Sequence, residues 1–420
     1  MAAKTSKGTL AILAGGGPAP GINGVIGAAA LEGIRNGMRV LGLQEGYRWL
    51  VRDDVSRARE LRTEELSGIH RQGGSILGTS RENPTTDPDK MRNALSALKR
   101  LGVTHLLAIG GDDTAFSTWK ISGMKDAGIA FACVPKTIDN DLPLPENVSC
   151  FGYETARQLG VELVANLMED ARTTVRWYFV VAMGRKAGHL ALGIGKAAGA
   201  PLTLIAEEFP PGTISIERLA DLLETTIVKR RVLGSRDGLV VLAEGILERF
   251  AEEDLRKVGE VEQDEFGHLR MAELDLGKLL KNVVRKRFAA RGEKMQIVDK
   301  EIGYELRCAA PVPFDAEYTR DLGHAAVRFL LGGGSGALVT VVLGRAVPMD
   351  LAGLVDPSTG KIRVRFVDVQ GEGYRVARDY MTRLRGSDFE DAELVGRMAA
   401  EMKTTPEAFA GRFAPLTAGE

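Results

Sequence analysis

Four stretches of this 420-residue chain crowd cations, carboxylates, hydroxyls and glycines closely enough to do chemistry. The densest is Pro135-Lys136-Thr137-Ile138-Asp139-Asn140-Asp141, which offers an ammonium, a hydroxyl and two carboxylates two positions apart. In extended backbone alternate side chains point the same way, so Asp139 and Asp141 are expected to face one site. An Asx-type turn ahead of Pro143 is the plainer alternative, although a turn has no need of the lysine. Gly110-Gly111-Asp112-Asp113-Thr114 sets adjacent carboxylates after a glycine pair. That suits an oxygen-bound Mg²⁺ beside phosphates, or acids favoured in a helix's first turn. Gly15-Gly16-Gly17-Pro18-Ala19-Pro20-Gly21-Ile22-Asn23-Gly24 lets the main chain approach an anion where a helix begins. It lacks the closing Gly-Lys-Ser/Thr of a Walker loop and the G-x-G-x-x-G spacing of dinucleotide sites, and a tight turn without a ligand stays open. In Met183-Gly184-Arg185-Lys186-Ala187-Gly188-His189, Arg185 stands where a strand hands over to a helix, a natural place for a guanidinium fork to grip an anion. His189 reads as a helix-start or core residue, and Arg176 by itself as a surface charge. Ala243-Glu244-Gly245 and Gly303-Tyr304-Glu305-Leu306-Arg307 complete the set.

These loops need a scaffold, and the pattern around them supplies one. Apolar runs rich in β-branched residues read as buried strands at Thr9–Ala14, Arg39–Gln44, Thr104–Ile109, Ala130–Val134, Val175–Ala182, Leu202–Ala206, Gly238–Ala243 and Ala337–Leu343. Amphipathic stretches at Gly21–Asn36, Thr114–Ala127, Tyr153–Met168, His189–Ala198, Ile214–Val232 and Asp315–Leu331 read as helices. Such alternation means an α/β architecture, here two packed, Rossmann-like, three-layer domains with mostly parallel sheets. The expected boundaries are residues 1–150, rejoined by part of 308–420, then 151–307, with 345–420 as an extension of no assigned role. In open parallel sheets ligands sit at the carboxyl ends of strands, where all the loaded loops fall. The segment Leu247–Lys300 is more charged and gives no clear assignment.

Composition narrows the class. With 55 basic and 56 acidic residues the net charge is −1, which leaves no surplus for a nucleic-acid binder. Hydrophobic residues make up 44% and charged ones 26%, ordinary for a globular protein with a sizeable core. The 50 glycines follow no collagen-like period and mark tight backbone turns. Three cysteines, Cys133, Cys150 and Cys308, make no disulfide framework and fit a reducing cytoplasm. No apolar window reaches membrane-spanning length, and Met1–Gly8 shows no secretory signal. The basic runs Lys229-Arg230-Arg231 and Arg285-Lys286-Arg287 read as solvated helix faces.

In order and rough spacing, Gly15–Asn23, Gly110–Thr114, Pro135–Asp141, Met183–Gly188, Glu244-Gly245 and Gly303–Arg307 resemble the phosphofructokinases, over approximately Leu10 to Leu331. The resemblance implies an active site in the cleft between the two domains, the donor on the first and fructose 6-phosphate on the second. It implies that Asp139 is the general base for the sugar 1-hydroxyl, flanked by Thr137 and Asp141, and that Asp112 holds Mg²⁺ on the phosphoryl donor. Gly16 and Arg81 would contact donor phosphates; Met183, Gly184, Arg185 and Glu244 would hold the sugar; Tyr304 and Arg307 would grip its 6-phosphate. Arg176 matches an arginine that reaches a neighbouring subunit's sugar site, which implies a homodimer or homotetramer.

Two departures concern the donor. ATP-using members that the chain resembles carry glycine at the positions of Asp113 and Lys136. An aspartate fills with like charge the room that a nucleotide's α-phosphate and ribose would need. Two unit charges about 4 Å apart repel by roughly 4 kcal/mol at an effective dielectric near 20. Lys136 adds positive charge beside the transferring phosphoryl. Both changes are similar to the pyrophosphate-dependent branch, so the expected reaction is reversible transfer from pyrophosphate, with Lys136 and Arg185 assisting. An ATP-dependent 6-phosphofructokinase and a catalytically silent sugar-phosphate-binding subunit are the alternatives; a nicotinamide dehydrogenase is more distant.

Overall fold

Leu10, Ile12 and Ala14 of strand β1 (Thr9–Ala14) enter one hydrophobic core, while Ala11 and Leu13 enter another. The same split runs through β4 (His105–Gly110) and β5 (Ala130–Pro135): Leu107, Ile109, Ala132 and Val134 face the first core, and Leu106, Ala108, Phe131 and Cys133 the second. A sheet buried on both faces accounts for the continuous apolar runs in the sequence. Helix α1 (Ile22–Arg35) and the helix Pro313–Leu331 fill the first core, and α2 (Pro88–Arg100) with α3 (Asp112–Ser122) fills the second.

The computed structural model describes residues 7–212, 214–251, 253–254 and 274–417. Expectations for residues 1–6 and for the 255–273 part of the charged segment lie outside the described residues. The chain divides into two units, Met1–Gln158 with Tyr304–Arg365, and Leu159–Gly303 with Phe366–Glu420; the first boundary falls inside helix α4 (Tyr153–Thr174).

Unit one holds a seven-stranded sheet in the order β11-β10-β5-β4-β1-β2-β3. Its five inner strands are parallel, and β2 (Arg39–Leu43) and β10 (Ala337–Val342) are flanked by antiparallel edges, β3 (Ala58–Glu60) and β11 (Arg345–Asp350). Unit two holds a four-stranded parallel sheet, β7 (Leu202–Leu204), β8 (Gly238–Ala243), β6 (Trp177–Ala182) and β9 (Ile297–Ile302), in that order. Helices α5 (His189–Ala198), α6 (Ile216–Val232) and Leu276–Ala290 belong to it. Among the described residues no helix is long and apolar enough to cross a membrane.

The basic runs behave differently from the expected solvated faces. Lys229 is buried and pairs with Asp388 at 2.5 Å, and Arg231 binds Glu293 and Glu401. Arg287 reaches Asp221 at 2.7 Å and the fully buried Glu224 at 3.0 Å. Arg291 also pairs with Glu224, and Arg412 contributes from the helix Pro406–Phe413. A carboxylate taken out of water must be matched by cations; Lys229 and Arg231 tie α6 to the C-terminal segment, and Arg287 ties the helix Leu276–Ala290 to α6. Arg285 and Lys286 alone keep the exposed character expected of them.

In unit one Asp315, fully buried, accepts the amides of Gly152 (2.9 Å) and Thr155 (2.8 Å) and the Thr155 hydroxyl (2.5 Å). Burial pushes its carboxyl above the ordinary carboxylate value, and the Thr155 and Gly152 donors oppose that shift. Because the folded value exceeds the unfolded one, this group's stability contribution is complete below the unfolded value and is lost as pH rises through the folded one. Asp315→Asn should therefore lower stability by about 1–3 kcal/mol, the cost of unsatisfied buried donors, and flatten the decline on that alkaline side. Urea unfolding at several pH values reads both effects, and an unchanged pH slope would contradict the assignment.

Candidate active site

Parallel pairing aligns Ala14 with Ile109 and Gly110 with Pro135, so the loops after β1, β4 and β5 leave the sheet side by side. Neighbouring strands are about 4.8 Å apart, close enough for one loop's side chains to touch the next loop's backbone. Lys136 does so: buried at the end of β5, its ammonium donates to the Gly17 carbonyl. Gly16 sits at φ 78°, in the left-handed region that favours glycine, and a Cβ there would lie 3.4 Å from the Lys136 Nζ. The Gly16 amide donates to Ser80 at 2.7 Å, which holds the Gly78–Arg81 segment alongside, with Arg81 exposed. Thr114 explains two more glycines, because a Cβ at Gly15 or Gly110 would come within 2.4 Å of its hydroxyl oxygen.

Asp112 and Asp113 open α3 directly after Gly111, in the turn where the helix dipole favours acids. Asp113 is exposed and Asp112 half-buried. Among the described residues no three His, Cys, Asp or Glu side chains gather as a metal cluster. One carboxylate at a strand end nevertheless fits Mg²⁺, which is commonly held by one or two carboxylates together with substrate phosphates and water.

The loop after β5 is not extended. It bends at Ile138 and Asp139, and Asn140 takes φ 57°, so simple alternation does not govern where Asp139 and Asp141 point. The Asp139 amide donates to the Thr137 hydroxyl at 3.0 Å, and Asp139 itself is buried. Both carboxylates act on the buried Cys150 thiol, which burial pushes up to about 12, against the lowering effect of Arg365. Arg307 lies against the glycine loop, its guanidinium carbon 3.4 Å from where a Gly17 Cβ would be, and its charge stands 5.1 Å over the exposed Tyr304 ring.

In unit two, Met183, Gly184 and Arg185 follow β6. Glu244, at the end of β8, accepts the amides of Gly184 (3.1 Å) and Arg185 (3.2 Å) through one carboxylate oxygen. Arg185 adopts φ 51°, a costly conformation for a residue with a Cβ and one that surrounding contacts must enforce. Gly245 is part of that enforcement, since a Cβ there would meet the Arg185 carbonyl at 2.4 Å. Arg176 precedes the same strand and lies 3.7 Å from Asp170. Six residues of strand, about 20 Å, separate it from Met183 of its own chain.

Sequence reasoning missed Arg365. Its Nε donates to the Asn140 carbonyl (3.1 Å), one terminal nitrogen to the Val148 carbonyl (2.8 Å), and the other to the Asn140 side-chain oxygen. Its own amide donates to the Asp141 carbonyl at 2.7 Å. Arg365 therefore grips the loop bearing Asp139 and Asp141 from both sides of the left-handed Asn140. Asn23, quoted in the glycine loop but given no role of its own there, is buried in α1; its side chain accepts the Ile76 amide (2.8 Å) and donates to the Gln72 carbonyl (3.2 Å), fixing the segment that leads to Arg81.

Comparison with known proteins matches residues 9–330 to the phosphofructokinase family model. A pyrophosphate–fructose 6-phosphate 1-phosphotransferase of Thermotoga maritima is 50% identical over 409 residues, covering 96% of this chain and 97% of that one. One of Naegleria fowleri with the same name is 50% identical over 414 residues, covering 96% and 95%. The crystal structure of a pyrophosphate-dependent phosphofructokinase from Marinobacter aquaeolei superposes with a TM-score of 0.66 at 18% identity, covering 89% of this chain and 90% of that one, which shows the shared fold.

Arg365→Ala should cut turnover by about 100-fold, the scale expected when a reacting group is displaced by an ångström, with KM changed far less. Added guanidinium ion should restore part of the loss. A variant with normal turnover, or a deficit that guanidinium leaves untouched, would show that the grip does not set the loop's geometry.

Proposed function

The chain belongs to the phosphofructokinase family, and from that membership we infer that it reversibly transfers a phosphoryl group from pyrophosphate to the 1-hydroxyl of fructose 6-phosphate. The products are fructose 1,6-bisphosphate and phosphate. One observation carries the choice of donor: half-identity along nearly the whole chain to enzymes named for that reaction. The physical reason lies in Asp113, exposed at the head of α3, and Lys136, drawn onto the glycine loop. Together they leave charge and bulk where an α-phosphate and ribose would lie, and favour a compact inorganic donor.

In this reading Asp139 accepts the 1-hydroxyl proton as the sugar oxygen attacks the terminal phosphorus in line, and phosphate departs. Thr137 and Asp141 orient that hydroxyl. Lys136, Arg185 and the glycine loop after β1 face the negative charge spread over the equatorial oxygens, the main task in phosphoryl transfer. Gly16, Arg81 and Asp113 border the donor; Met183, Gly184, Arg185 and Glu244 hold the sugar, with Tyr304 and Arg307 at its 6-phosphate. Glu244 serves by fixing the Gly184 and Arg185 amides, which supports its assignment through geometry. When bound, Mg²⁺ would neutralise donor charge, with Asp112 as its protein ligand.

In this reading the first unit carries the loops for the donor and the second those for the body of the sugar. Arg176 supports an oligomer: β6 carries it away from its own chain's Met183–Arg185 loop, so a role at a sugar site falls to a second copy, in a dimer or tetramer. All three cysteines are free, which supports a reducing, cytoplasmic setting.

Asp139→Ala should reduce turnover by about 10²–10⁴-fold, the usual worth of a general base, with modest change in fructose 6-phosphate affinity; near-normal turnover would remove Asp139 from the mechanism. Asp113→Gly combined with Lys136→Gly should confer measurable ATP use in a coupled assay. A double variant blind to ATP would refute the argument from charge and bulk.

A further inference from the structure

Glu207 repeats, one strand over, the arrangement seen at Glu244. It lies in the short turn Ala206–Glu208 that follows β7, the neighbour of β8. One carboxylate oxygen accepts the Gly188 amide at 2.8 Å and the Val367 amide at 3.0 Å. The other oxygen is buried and, among the described residues, accepts no hydrogen bond. A Cβ at Gly188 would lie 2.7 Å from that second oxygen, so only glycine lets the carboxylate press against the loop.

An acid beside the start of α5 suits the helix dipole, since Gly188 is the residue just ahead of that helix. The dipole does not account for Val367, which comes 160 positions later. Val367 stands two residues after Arg365, whose guanidinium grips Asn140 in the loop bearing Asp139. The chain passes from the first unit to the second directly after Arg365. Two residues of chain reach about 7 Å at most, so this connection has little slack to absorb a displacement. Hydrogen bonds to an ionised acceptor are roughly twice as strong as neutral ones, which gives Glu207 a firm hold at both amides.

We propose that Glu207 is a positioning residue for phosphotransfer, tying the sugar loop that ends at Gly188 to the tether through which Arg365 sets the Asp139 loop. The inference rests on the reaction and site assigned above and adds a route between their two halves. When the sugar settles residues 183–188, Glu207 settles Val367, and the short tether keeps Arg365 seated on Asn140.

Steady-state kinetics of the full-length enzyme with pyrophosphate and fructose 6-phosphate test this in Glu207→Gln, Glu207→Ala and Val367→Pro, the last two also combined with Arg365→Ala. Glu207→Ala should lower kcat about tenfold, less than direct displacement of the Asp139 loop, and raise the sugar KM. Glu207→Gln keeps an acceptor oxygen and should stay within about threefold of wild type. Val367→Pro removes one donor and leaves Glu207 on Gly188, so kcat should fall with the sugar KM little changed. Both kcat losses should largely vanish once Arg365→Ala is present, because groups acting through one path are not additive.

Losses that multiply in full with that of Arg365→Ala overturn the proposal, as does a normal kcat in Val367→Pro. A lowered melting temperature with normal kcat in Glu207→Ala makes the carboxylate purely structural and likewise overturns it. Should Glu207→Ala fail to fold, the Val367→Pro pair decides the same question. Wild-type enzyme without phosphotransfer from pyrophosphate would overturn the proposed reaction itself, whereas multiplying losses in an active enzyme overturn the tether alone.

Discussion

In-register parallel pairing of β5, β4 and β1 is the constraint on which the first unit's chemistry depends. It ends three strands at one level and brings three polar loops to one edge, near enough for Lys136 to reach the Gly17 carbonyl and for Thr114 to close on two glycines. Side chains larger than hydrogen at Gly15 or Gly110 would push these loops apart, so small residues and strand register form a single device. The apolar faces beneath, alternating residue by residue into two cores, fix that register, because a slip of one residue would exchange the cores.

Strands with both faces buried were legible as apolar runs, and so were the loops that follow them. Strands β3, β9 and β11 were not. β9 carries Asp299, Lys300 and Glu301, and β11 is mostly exposed and contains Pro348, so neither shows the apolar run of a central strand. At the site, residue types and order could be read but local backbone could not. Asparagine tolerates the left-handed region, and its use of that freedom at Asn140 redirects a segment that spacing alone presents as extended. Arg365 gave no signal, because an isolated arginine 225 positions from Asn140 belongs to no motif.

The chain beyond the family match makes contacts in both units. Residues through Arg365 complete the first sheet's edge with β11 and brace the loop after β5. The remainder is tied to α6 through Lys229, Glu224 and Asp221, whose partners Asp388 and Arg412 lie near the chain's end. Charge runs that look like solvent-facing decoration in a linear sequence thereby become fasteners.

The order of strands in the larger sheet bears on how the chain emerges from the ribosome. β5 is synthesised early, yet its neighbour β10 follows about 200 residues later. At typical bacterial and eukaryotic elongation rates of about 5–20 residues per second, that flank stays uncovered for roughly 10–40 s. An apolar strand with one unsatisfied side is an invitation to intermolecular pairing, so nascent chains should depend on chaperone protection during this interval more than the finished protein's burial would suggest.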